Sequence, residues 1–108
     1  RKRDSYLEME TEQFVLRLPK RIHEIRQEGN AMHHCVATYI DRAAKGETTI
    51  LFLRKKQDPE TPFYTMEVNN GVMIQCRAKY NGGMTEEVKE FVELFKRKKL
   101  KRTERKAG

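Results

Sequence analysis

The sequence predicts an α+β fold, a single small domain of two or three helices packed on a three- or four-stranded antiparallel sheet and closed by a C-terminal helix. Three observations carry this. Residues 48–53 are β-branched and apolar at both parities, as in a strand covered on both faces. Two strand-like runs, 62–68 and 72–77, flank Asn69-Asn70-Gly71, a hairpin signal. Two further segments, starting near Ala31 and Thr85, space apolar residues at helical intervals. At 108 residues the chain is the size of one ordinary domain.

Taken in order, residues 1–12 are charged, with Tyr6, Leu7 and Met9 the apolar members, and read as a linker or a frayed helix end. The predicted core spans residues 13–97. Phe14 to Leu18 is a short strand stopped by Pro19, which suits the first turn of a helix. That helix carries Ile22 and Ile25 and is expected to end at Gly29, with Asn30 capping the next. In the second helix Met32, Cys35, Val36, Tyr39, Ile40 and Ala43 share one side up to a stop at Lys45-Gly46, and His34 lies on the other. After the central strand come Arg54-Lys55-Lys56, a loop containing Pro59, and the hairpin.

Patterning favours a three-residue hairpin loop. A two-residue loop at Asn70-Gly71 would set Glu67 opposite Ile74 and Met66 opposite Gln75, mixing the faces. A three-residue loop aligns Tyr64, Met66 and Val68 with Cys76, Ile74 and Val72, and leaves Thr65, Glu67, Gln75 and Arg77 on the second face. After a break at 80–83, Thr85 is the expected N-cap of a last helix, with Glu86 and Glu87 in its first turn and Val88, Phe91, Val92 and Phe95 as its stripe. Residues 98–108 read as a basic tail.

The formal net charge of +7 is local. Residues 96–106 hold eight basic residues against Glu104, which is the whole excess. Lys96, Arg97, Lys98, Lys99, Lys101 and Arg102 could contact a phosphate backbone, or simply solvate a helix end and complement its dipole. Cys35 and Cys76 are too few for a disulfide framework, and no secretory or membrane-length apolar segment is evident, which suggests a cytoplasmic setting. Starting at Arg1, the chain reads as part of something longer.

His33-His34-Cys35 invites a zinc or a thiol reading, but adjacent helical residues diverge by about 100° and no second chelating pair is spaced for a metal. Cys35 falls on the apolar side and His34 on the other, away from the geometry of an activated thiol. Neither metal nor cofactor is expected. The second face of the hairpin is the more informative set. Its simple reading is a solvated sheet face with a cross-strand Glu67–Arg77 or Thr65–Gln75 pair. Its sharper reading adds His34, Arg54 and Asn81 to form a phosphodiester site, in which His34 and Glu67 move protons and Arg54 or Arg77 stabilises charge without metal.

The order Glu28-Gly29, His34-Cys35-Val36, Tyr39, Gly46, Ile50, Leu53-Arg54, Pro59-Glu60, Pro62, Thr65-Met66-Glu67, Ile74-Gln75, Arg77 and Asn81 resembles the PcfJ-like proteins of conjugative plasmids, integrative elements and phages. The resemblance covers roughly residues 13–97. It implies a bacterial mobile-element or phage origin and a longer parent protein, and it brings no established reaction. Where the family often has glycine after the Arg77 position, this chain has Ala78. Two expectations follow. The first is a nucleic-acid-associated domain acting as a metal-independent nuclease on RNA or single-stranded DNA through His34, Glu67 and Arg77, supported by Thr65, Gln75, Arg54 and Asn81. The second is a non-catalytic module that docks nucleic acid or a protein through its basic C-terminal tail. No membrane contact is expected, and the oligomeric state is not legible.

Overall fold

The structure, a computed structural model, describes residues 2–32, 40–78 and 83–100. It shows an α+β domain built on a five-stranded antiparallel sheet in the order β1-β2-β3-β4-β5. The strands are Met9–Glu10, Phe14–Arg17, Thr49–Lys55, Tyr64–Asn69 and Val72–Arg77. The helices are α1 (Ile22–Met32), α2 (Ile40–Ala44) and α3 (Glu86–Phe95). Among the described residues no helix is long and apolar enough to cross a membrane.

Alternation assigns the two faces. Leu16, Leu53 and Tyr64 are register partners across β2, β3 and β4, as are Leu51, Met66 and Cys76 across β3, β4 and β5. These residues meet Val88, Phe91, Val92 and Phe95 of α3 in the main core. On the other face Ile50 and Phe52 of β3 pack with Ile25 of α1 and Ala43 of α2. The sheet is thus covered on both sides, as the two-parity apolar run in β3 requires.

Residues 2–12, expected as a linker or frayed end, are part of the fold. A 3₁₀ turn over Lys2–Leu7 buries Leu7 in the main core, and Met9 and Glu10 pair with Leu16 and Val15 as the edge strand. The fifth strand beyond the expected three or four is this short one. At the other end Lys96–Leu100 continues the last helix as a π-type turn, and Leu100 is buried.

Gly29 does not end a helix. Helix α1 runs through Gly29 and Asn30, and Gly29 is buried beside Glu28 and close to Ile25 on the turn below. It is a buried residue within the helix and not a left-handed cap. The stop at Gly46 is real: Gly46 has φ 78°, its N–H donates to the Ala43 carbonyl, and the Glu47 N–H donates to the Arg42 carbonyl. That is the Schellman arrangement. Thr85 caps α3, accepting a hydrogen bond from the Val88 N–H.

The hairpin differs from the expected three-residue loop. Asn69 pairs with Val72, so the loop is Asn70-Gly71, with φ of 54° and 76°. Two positive φ values mark the primed turn whose twist matches the strands. The mixed faces that this register seemed to impose are avoided by a β-bulge. Val68 pairs with Met73 but Glu67 pairs with Gln75, leaving Ile74 as the extra residue. Beyond the bulge Met66 faces Cys76 and Thr65 faces Arg77. Met73 packs against the main core, while Val72 and Ile74, expected on the apolar face, are exposed.

The turn supplies a test. Replacing Gly71 with alanine places a Cβ at φ 76° and should cost about 1–2 kcal/mol. Asn70→Gly should be close to neutral, with urea-unfolding midpoints separating the two.

Candidate functional site

The face of the sheet covered by α1 and α2 carries charge into the interior. In α1, Ile25 and Glu28 are one turn apart, so Glu28 is directed at the sheet and is 3% exposed. In β3, Arg54 shares the parity of Ile50 and Phe52 and is equally buried. The two meet as a bidentate pair, Arg54 Nη2 donating to Glu28 Oε1 at 2.6 Å and Nη1 to Oε2 at 2.9 Å. The Thr65 hydroxyl, one strand over, donates to Glu28 Oε2 at 3.1 Å. Arg54 also lies over the Phe52 ring at 4.8 Å, with Arg17 at 5.2 Å from the same ring. Its Nε is buried without a hydrogen-bond acceptor among the described residues.

A second carboxylate sits two residues along β4. Glu67 is 3% exposed, and donors engage both of its oxygens. Oε2 accepts from the Thr48 hydroxyl at 2.8 Å and from Arg42 Nη2 at 3.0 Å, and Oε1 accepts from Gln75 Nε2 at 3.2 Å. Arg42 belongs to α2 and Thr48 leads into β3, so Glu67 ties one helix and three strands together. Removing two ions from water costs several kcal/mol each, which only such pairing offsets. The polar face is therefore not solvated, the simple reading of the sequence. Thr65 and Glu67 are buried and hydrogen-bonded instead, with half-buried Gln75 and exposed Arg77 as their cross-strand partners, Glu67–Gln75 and Thr65–Arg77.

Of the expected site residues, Arg54, Thr65, Glu67 and Gln75 come together here. Arg77 is exposed at the end of β5. His34 and Asn81 lie outside the described residues, as do Lys101 and Arg102. Sequence reasoning missed Glu28, Thr48 and Arg42 as members. The signal for Glu28 was its spacing of three from Ile25 on a helix, and for Arg54 its parity with Ile50 and Phe52 in a strand covered on both sides.

The Glu28–Arg54 pair lines a surface cleft of about 270 Å³ shared with Arg17, Glu24, Gln27 and Phe52. Arg17 Nη1 is 3.6 Å from Glu24 at its rim. Cys76 contributes nothing to this face. It is 7% exposed in the main core, and burial pushes its thiol from 9.0 up to about 12, leaving no thiolate at neutral pH. Among the described residues no three His, Cys, Asp or Glu side chains converge as metal ligands would.

The basic residues lie across the sheet from this network. Lys96, Arg97, Lys98 and Lys99 follow α3, which packs on the opposite face, and Phe95 and Leu100 at either end of the run are buried in the main core.

A family profile described as PcfJ-like protein matches residues 1–92. An uncharacterized protein of Listeria innocua, Lin1253/Lin1744, is 38% identical over 86 residues, which cover 78% of this chain and 19% of that protein. The chain thus spans about a fifth of that relative's length. No solved structure gives a significant match.

The buried pair makes a quantitative prediction. Glu28→Gln strands the Arg54 guanidinium and should cost about 3–5 kcal/mol. The double change Glu28→Leu with Arg54→Met should recover most of that loss, and Arg42→Ala, at a residue 46% exposed whose loss leaves Thr48 and Gln75 still donating to Glu67, should cost less than Glu28→Gln. Chemical denaturation of the four proteins checks the order.

Proposed function

This chain belongs to the PcfJ-like protein family, and we propose that it is a non-catalytic nucleic-acid-binding module of a larger mobile-element or phage protein, docking through the helical turn at Lys96–Leu100. The observation that carries this reading is the anchoring of that turn. With Phe95 and Leu100 at 0% and 2% exposure, the four cations between them extend from a fixed helical backbone and not from a free tail. Cations held in place lose less freedom on meeting a row of phosphates, and each contact releases a condensed counterion. Of the acidic residues of α3, Glu86 and Glu87 sit at its far end, while Glu93 pairs with Lys96 Nζ at 3.5 Å. Arg97, Lys98 and Lys99 therefore carry the excess positive charge of the turn and complement the negative C-terminal end of the helix dipole.

The same geometry weighs against a nuclease that uses Glu67. A general base needs a lone pair aimed at substrate. Both Glu67 oxygens instead accept from Arg42, Thr48 and Gln75 in the interior. The basic run is also on the opposite face of the sheet, not beside that carboxylate.

Binding to a single-stranded oligonucleotide should weaken with salt at a slope near 0.7 per phosphate engaged, against about 0.9 on duplex. Arg97→Glu with Lys98→Glu should flatten the slope and weaken binding at least about tenfold at low salt, with an unchanged thermal midpoint. Charge reversal is preferable to truncation, because Leu100 belongs to the core. Undiminished affinity in the double variant overturns the assignment. Cleavage of the oligonucleotide in EDTA, lost in Glu67→Ala, would assign the nuclease instead.

A further inference from the structure

A separate cleft of about 380 Å³ opens where the β1–β2 connection, the loop after β3 and the start of α3 meet. Its floor is aromatic. Phe14 and Phe63 stack with centroids 6.0 Å apart and planes 16° from parallel. Its rim carries the carboxylates of Glu12 and Glu87 and the amides of Gln13 and Gln57. These four residues are exposed, and their side chains have no hydrogen-bond or ion-pair partner among the described residues. None of them belongs to the Glu28–Glu67 network or to the basic turn.

We propose that this cleft binds the guanidinium of an arginine-bearing peptide segment. Charge selects the class of ligand. Two carboxylates against the single ammonium of Lys55 make the lining negative, which repels a phosphate-rich chain and attracts a cation. The ring already seats one: Lys55 Nζ lies 5.1 Å from the Phe63 centroid. Shape selects among cations. A guanidinium is flat, stacks on an aromatic face, and directs five N–H donors outward in its plane, matching two carboxylates and two amide oxygens around an aromatic floor. A lysine ammonium has three donors on a compact head and stacks poorly. Lys55 is exposed and competes for the ring, so the incoming guanidinium displaces its ammonium.

The test is a titration of the whole chain, followed by backbone amide NMR, with acetyl-arginine amide and with the citrulline and lysine analogues. Arginine should produce saturable shifts at Gln13, Gln57 and Thr85, with the uncharged citrulline analogue about tenfold weaker or more. Glu12→Gln with Glu87→Gln should weaken arginine binding about tenfold, and Lys55→Met should strengthen it severalfold by removing the competing cation. Thermal midpoints of these surface variants show whether the fold is kept. Three results overturn the proposal: no saturable shift at those amides, an equal response to citrulline, or weaker binding in Lys55→Met. Shifts at the same amides on adding an oligonucleotide would assign the cleft to nucleic acid and overturn it as well.

Discussion

Burying Glu28 and Glu67 imposes the strongest constraint on this molecule. A carboxylate in an apolar interior is tolerable only when donors occupy its oxygens. Glu28 obtains them from β3 and β4 through Arg54 and Thr65, and Glu67 from α2, the start of β3 and β5 through Arg42, Thr48 and Gln75. Every element that supplies a donor is thereby held to one distance and one register. A shift of β4 by one residue would turn Thr65 and Glu67 toward the α3 core and strand Arg54 beneath α1. The network specifies how the α1–α2 layer sits on the sheet, whereas apolar area alone would leave its alignment loose.

The hairpin bulge belongs to the same logic. A primed two-residue turn is the natural outcome of Asn70-Gly71, yet carried through without interruption it would place Gln75 on the face of Met66. The extra residue at Ile74 resets the alternation, so that Gln75 reaches Glu67 and Cys76 enters the main core. The result is exposure of Ile74 on the edge strand, at 54%. Turn chemistry and polar satisfaction are both met because one apolar residue is left in solvent.

Charge is segregated over the surface. The interior pairs cancel, the basic run is confined to the turn after α3, and acidic side chains gather near the start of that helix and the β1–β2 connection. The basic turn and the acidic cleft therefore occupy different ends of the α3 side, while the polar network lies beneath α1 and α2. That division leaves the network a role in architecture.

The fold class was legible from the sequence because periodicity and turn chemistry are local. β3's apolar residues at both parities announced two covered faces, Thr85 with Glu86 and Glu87 announced the last helix, and Gly46 announced the end of α2. Polar position was legible only in part. Thr65, Glu67 and Gln75 were read onto one face, but whether that face met water or helices depends on residues far apart in the chain. The loop length was misjudged because a bulge answers to cross-strand packing, which a single strand's pattern does not contain. Gly29 misled for a related reason: a glycine ends a helix when its φ is positive, and Gly29 instead keeps helical backbone inside α1 on its buried side. Glu28 shows the division most clearly. Its spacing from Ile25 determined the direction of the side chain, but only the tertiary fold brought Arg54 and Thr65 from 26 and 37 residues away to meet it, because a buried charge is stabilised by partners in space and not in sequence.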